Sequence, residues 1–204
     1  MITVIDYGAG NLRSVTNALT LLGYRHRVSR RAADVLGADT VILPGVGAAG
    51  DTMKSLEKLK LIGPVKEWIA SGKPFLGICI GLQVLLTDTE EGGCDCLDVV
   101  HGRVRKLAAG VKIPHIGWNQ VKQLAPHPVF TGIPDNTNFY FVHSYYAAPD
   151  NNTTVIGTTD YGISFCSVLA QDNLVATQFH PEKSGEWGLR FYDNFMIMAG
   201  ETRQ

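Results

Sequence analysis

Three short stretches carry residue types that could do chemistry together. The first is "GICIG", residues 77–81, where Cys79 lies between Gly77 and Gly81 in an otherwise apolar run. A tight turn from strand to helix crowds its neighbours, so small residues on both sides of the apex are what such a turn demands, as in the serine elbow of α/β-hydrolases. A helix beginning at Ile80 would bring unpaired N–H groups beside the sulfur, favouring the reactive thiolate and offering Ile80 N–H to an oxyanion. A small, buried, structural cysteine is the competing reading, and the pattern alone does not decide between them.

The second stretch, "VATQFHPEKS" (residues 175–184), reads as a strand ending in His180, then Pro181 and Glu182. Residues two apart in extended chain point the same way, so His180 and Glu182 suit a base and the carboxylate that orients it. The third, "PGVGAAGD" (Pro44 to Asp51), follows the apolar run "TVIL". A glycine-rich loop at a strand's carboxyl end can present backbone N–H groups to an anion or an oxyanion. Phosphate binding is disfavoured: there is no G-x-x-x-x-G-K-[ST], and "GAGN" at Gly8 does not complete G-x-G-x-x-G.

Those residues need elements to position them. "ITVI", "RHRVS", "TVILP" and "PFLGI" read as buried strands. Between them lie helical patterns: Leu12, Val15, Ala18, Leu19 and Leu22 behind a capping Asn11, then "MKSLEKL" and "PVKEWIA". Strands alternating with helices predict parallel pairing with helices on both faces. The second half changes character. "GRVRKL", "NFYFVHS", "TTVIGTT", "ISFCSVL" and "LVATQF" read as strands at turn-punctuated spacing, and a last helix spans Gly185 to Ala199. The expectation is one α/β domain over residues 1–204: an open, mostly parallel, flavodoxin-like sheet with antiparallel strands in its second half.

Composition limits the alternatives. The 204 residues are 45% hydrophobic and 18% charged with a net charge of −1, which describes a globular chain rather than a nucleic-acid or membrane binder. "YRHRVSRR" (Tyr24 to Arg31) is the one basic cluster, read as a solvated strand and turn. The N-terminus lacks a signal-peptide pattern, and the longest apolar run, Pro74 to Leu86, falls short of the roughly 18–20 residues of a membrane span. Cys79, Cys94, Cys96 and Cys166 are expected as reduced thiols in the cytoplasm. The C-x-C at Cys94 and Cys96 has no second pair at zinc spacing, so no metal is expected.

Taken together, these stretches resemble the class I glutamine amidotransferases, whose Cys–His–Glu triad sits in G-x-C-x-G and F-H-P-E contexts. "VIDYGAGNLRSV" (Val4 to Val15), "PGVGAAGD", "GICIGLQ", "PHIGWNQV" (Pro114 to Val121), "YFVHSYY" (Tyr140 to Tyr146) and "ATQFHPEKSG" run in order along nearly the whole chain. They are similar to one branch of that class, the glutaminase subunits of imidazole glycerol phosphate synthase. Departures are small: Ile80 and Leu82 stand for a more usual Leu and Met, and Ala49 for an aromatic.

The resemblance implies hydrolysis of glutamine by Cys79, His180 and Glu182, with an oxyanion hole from the N–H groups of Ile80 and, directly or after a peptide flip, Val46. It implies that Gly45, Gly47, Gln83, Ser144 and Tyr145 hold the substrate, and that no cofactor takes part. It further implies a partner, the (β/α)₈-barrel cyclase subunit, in a heterodimer that makes imidazole glycerol phosphate and aminoimidazole carboxamide ribotide. Trp118, Asn119 and Tyr140 are expected at its interface or gate, although a buried Trp118 would serve packing equally well. Two other readings remain open here: a glutaminase of another synthase, and a non-catalytic docking subunit of the same fold.

Overall fold

The computed structural model describes residues 1–203. The chain opens with β1 (Ile2–Ile5), α1 (Leu12–Leu21), β2 (His26–Ser29), α2 (Ala32–Leu36), β3 (Thr40–Gly45), α3 (Ala49–Lys58), α4 (Ile62–Ala70), β4 (Phe75–Cys79) and the single turn α5 (Ile80–Gln83). Strands then dominate: β5 (Asp88–Thr89), β6 (Cys94–Asp95), β7 (Gly102–Lys106), β8 (His115–Gln123), β9 (Thr137–His143), β10 (Tyr145–Pro149), β11 (Val155–Asp160), β12 (Ser164–Gln171) and β13 (Leu174–Thr177). Helix α6 (Gly185–Met198) closes the order.

The main sheet runs β2-β1-β3-β4-β13-β12-β11-β8-β9. From β2 to β13 every pairing is parallel. From β13 to β9 every pairing is antiparallel. The expected α/β class is therefore observed, with its parallel half and its antiparallel half joined at β13.

Alternation along the strands explains why both faces are covered. On β3, Val41 and Leu43 face one core with Leu56, Val65 and Trp68 of α3 and α4, whereas Ile42 faces the other with Val15 and Leu19 of α1. Strands apolar on both faces read as unbroken hydrophobic runs, as "TVIL" does. Phe191 and Phe195 of α6 are fully buried in the second core, as their helical spacing predicted. A smaller sheet, β10-β7-β5-β6, adds Val104 and Ala147 to the first core.

Some expectations were imprecise. Asn11 occupies the position before α1, but its side chain makes no capping bond. Strand β13 ends at Thr177, so Phe179 and His180 lie beyond the ladder. Strands β8 and β10 and the short α2 were not foreseen. Among the described residues, no helix is long and apolar enough to cross a membrane, and no group of three or more His, Cys, Asp or Glu could hold a metal ion.

Candidate active site

Sheet register brings the three sequence stretches together. Strand β3 pairs with β4 so that Gly45 lies opposite Cys79, and β4 pairs with β13 so that Ile78 lies opposite Thr177. The "PGVG" loop, Cys79 and the segment running to His180 thus leave neighbouring parallel strands at their carboxyl ends, where ligands bind in open α/β sheets.

Cys79 is the apex of the predicted turn. Its φ of +54° and ψ of −101° are sparsely populated for a residue with a Cβ, a conformation costing on the order of 1–3 kcal/mol. The flanking glycines are required by close approach. A Cβ on Gly77 would meet the Gly81 oxygen at 2.7 Å, and one on Gly81 would meet the Leu43 oxygen at 1.9 Å. With a single turn, α5 has little macrodipole; what it offers the sulfur is its free first N–H groups, beginning at Ile80.

His180 and Glu182 meet by a different local route from the one expected. A 3₁₀ turn over Pro181–Lys183, not continued extended chain, folds Glu182 back so that its Oε1 lies 2.8 Å from His180 Nδ1. Their side chains are only 2% and 1% exposed. Nδ1 is thereby taken, and Nε2 is left buried without a partner. Burial opposes a charge on this ring, but the nearby Cys79 sulfur and the Glu182 carboxylate outweigh it and raise its pKa to about 10. A protonated imidazole beside the sulfur is the counter-charge that a thiolate nucleophile requires.

The backbone of His180 is fixed by a residue that sequence reasoning passed over. Ser184 Oγ donates to the His180 carbonyl at 2.6 Å and accepts from Tyr140 N–H at 2.9 Å, while His180 N–H donates to the Tyr140 carbonyl at 2.9 Å. Gln178 was also missed: its Nε2 donates toward the Cys79 sulfur at 3.6 Å. Gln83 donates to Gln178 Oε1 at 3.2 Å and to the Tyr145 carbonyl at 2.8 Å.

A cavity of about 210 Å³ opens beside the sulfur. That is smaller than pockets for drug-sized ligands, at roughly 300–1,000 Å³, and suits a molecule of amino-acid size. Val46, Gly47, Ile80, Gln83, Ser144 and Tyr145 line it. Gly45 does not; it lies behind the loop, where a Cβ would meet Tyr7 Oη at 1.9 Å. Glu91 does line the cavity, and its Oε2 accepts the Ala49 N–H at the start of α3 at 2.9 Å. Nothing in "TEEGG" signalled that role, since only tertiary pairing brings this loop to the pocket. A larger cavity, about 540 Å³, lies at the opposite ends of β4 and β13 beside Leu174, away from the sulfur.

Trp118 and Asn119 sit on β8 and Tyr140 on the paired β9, apart from the cavity. Trp118 is 57% exposed, which rules out the packing role considered for it, and it stands edge-on to Tyr140 with ring centres 6.1 Å apart. Cys166 is buried in the core, and burial raises its thiol pKa to about 12. Cys96 is raised to about 12 by burial and by its neighbour Cys94.

The family model for class I glutamine amidotransferases matches residues 3–199. The imidazole glycerol phosphate synthase subunit HisH of Dehalococcoides mccartyi strain CBDB1 is 52% identical over 200 residues, covering 98% of each chain. The HisH subunit of Herpetosiphon aurantiacus is 48% identical, covering 98% of this chain and 95% of that one. Among solved structures, one described as a glutamine amidotransferase superimposes with a TM-score of 0.76 at 18% identity, covering 98% of this chain and all of that one. PurLQS from Thermotoga maritima gives the same TM-score at 16% identity, covering 97% of each chain. These distant structures attest to the fold.

Proposed function

Because the chain belongs to the class I glutamine amidotransferases, in the branch of the imidazole glycerol phosphate synthase glutaminases, we propose that Cys79, His180 and Glu182 are its catalytic residues. The chain hydrolyses glutamine as the glutaminase subunit of that synthase, in histidine biosynthesis. One observation supports this assignment of residues above others: the strained Cys79 lines an amino-acid-sized cavity, and the buried His180–Glu182 pair stands behind its sulfur.

Cys79 thiolate attacks the side-chain amide carbon of glutamine, and the carbonyl oxygen becomes an oxyanion beside Ile80 N–H, with the Val46 N–H, which lies toward the Tyr7 hydroxyl, joining as second donor once its peptide flips. Removing one such donor typically costs on the order of a hundredfold to a thousandfold in rate. As the C–N bond breaks, His180 Nε2 gives its proton to the leaving nitrogen, producing ammonia and a glutamyl thioester. His180 then takes a proton from water attacking the thioester, and glutamate leaves with the thiolate restored. Glu182 holds Nδ1, which keeps Nε2 as the nitrogen that exchanges protons.

Substrate recognition follows from charge. Gly47, Gln83, Ser144 and Tyr145 line the space where glutamine sits, and the Glu91 carboxylate supplies a partner for its α-ammonium group. Gly45 contributes by letting the loop approach Tyr7 and Ile80 rather than by facing substrate.

Ammonia released into neutral water becomes ammonium, which has no lone pair for attack, so the acceptor must be reached without crossing solvent. One glutaminase domain occupies this chain, and the acceptor chemistry belongs to a (β/α)₈-barrel cyclase subunit bound as a heterodimer in the cytoplasm. The exposed Trp118, with Tyr140 beside it, forms a docking or gating face for it, as aromatic anchors do at interfaces, while Asn119, the next residue of β8, turns to the inner side toward His115. In the reconstituted complex, Cys79→Ala abolishes glutamine-dependent synthesis and leaves synthesis from added ammonia intact. Loss of both activities would return Cys79 to a structural role.

A further inference from the structure

Two buried histidines take no part in the steps above. His115 on β8 and His143 on β9 are cross-strand partners, 3% and 6% exposed. His143 Nδ1 lies 2.8 Å from the Tyr145 carbonyl, His143 Nε2 lies 3.0 Å from His115 Nδ1, and His115 Nε2 lies 3.3 Å from Asn119 Nδ2.

The direction of each bond follows from its neighbours. The Tyr145 carbonyl can only accept, so His143 Nδ1 carries the proton and, in the neutral ring, Nε2 accepts from His115 Nδ1–H. His115 Nε2 then accepts from Asn119. That orientation of the Asn119 amide is set independently, because its Nδ2 also donates to the Asp160 carbonyl at 3.1 Å and its Oδ1 accepts Gln120 N–H at 2.8 Å. Burial favours neutral rings: it lowers the His143 pKa to about 4 and also lowers that of His115. His115 is held flat between Tyr161 and Phe141, with ring centres 3.9 and 5.1 Å away.

The row continues to the nucleophile. The Tyr145 carbonyl also receives Gln83 Nε2, whose other hydrogen goes to Gln178 Oε1, while Gln178 Nε2 points to the sulfur. Gln83 thus uses both its donors on the protein, which leaves Oε1 as its group for the cavity.

We propose that His115 and His143 are positioning residues for glutamine hydrolysis: as a hydrogen-bonded pair they fix the Tyr145 carbonyl, and through it the Gln83 and Gln178 amides beside Cys79, and they tie this row to Asn119, the neighbour of Trp118 on β8 whose side chain points to the opposite, inner side of the strand. The proposal rests on the glutaminase reading. It adds that the acceptor Gln83 offers to substrate is set by a row beginning at Asn119, on the inner side of the strand whose outer side carries Trp118. The pair does not relay protons, because donors converge from both sides on the Tyr145 oxygen.

The test compares His115→Phe, which keeps the flat ring but removes both ring nitrogens, with His115→Asn, which keeps a donor near the Nδ1 position. In the two-subunit complex, His115→Phe raises KM for glutamine about five- to tenfold, the scale of one lost buried hydrogen bond, and changes kcat less. His115→Asn stays within about twofold of the parent. Equal behaviour of the two variants, or an unmoved KM in an enzyme whose parent hydrolyses glutamine, overturns the proposal. A parent without glutaminase activity would instead overturn the glutaminase reading. Imidazole nitrogen NMR of the unsubstituted chain judges the row without activity: both rings are expected as Nδ1–H tautomers, and a His143 protonated at Nε2 contradicts it.

Discussion

Replacing Glu182 by Gln isolates the contribution of one negative charge to catalysis. The amide keeps the shape of the carboxylate, and its oxygen can still accept from His180 Nδ1 across the 2.8 Å contact. What disappears is the charge that favours an imidazolium in a site where both side chains are almost wholly buried. A hydrogen bond to a charged group is worth about 1.5–3 kcal/mol against about 0.5–1.5 kcal/mol for a neutral one, so the change removes about 1–2 kcal/mol of support for the charged ring. If the protonated ring is needed to expel ammonia, kcat for glutamate release falls about 5- to 30-fold, at roughly 1.4 kcal/mol per factor of ten. KM stays near its parent value, because Glu182 does not line the glutamine cavity. The assay is steady-state glutamate production in the complex with the cyclase, with ammonia-dependent synthesis as the control for folding and assembly. A kcat within twofold of the parent would refute the reasoning about charge.

Two further outcomes follow from the same geometry. Gly81→Ala drives a Cβ into the Leu43 carbonyl at 1.9 Å and should cost about 2–3 kcal/mol in urea denaturation together with most glutaminase activity, whereas Gly63→Ala, with open space around it, should cost neither; similar effects from both would remove the case for a close-packed turn. The raised His180 pKa implies stabilisation that is fully present below about pH 6.5 and lost as pH rises through about 10, so the stability advantage over His180→Gln should narrow across that window, and an advantage that widens would contradict it.

Much of this was legible because local chemistry and function coincide. The run "TVIL" needed two covered faces, so it announced a central parallel strand, and Gly77 and Gly81 announced a crowded apex around Cys79. Less was legible where tertiary pairing decides. Strand β8 carries Trp118, Asn119 and Gln120 among its residues, and its pairing with β9 and β11 makes it a strand. Strands β5 and β6 have two residues each and no local propensity to reveal them, which hid Glu91 as well. His115 and His143 are far apart in the chain and meet through strand register alone. His180 and Glu182 were paired for the wrong local reason, since a 3₁₀ turn rather than extended chain joins them.

The central claim is that the sulfur of Cys79 is the nucleophile in a pocket shaped for glutamine. Mass spectrometry of the complex treated with a glutamine-like electrophile tests it directly. The account predicts one adduct on Cys79, slowed by added glutamine, with Cys94, Cys96 and Cys166 unmodified; labelling elsewhere, or labelling of Cys79 that glutamine does not slow, would contradict it.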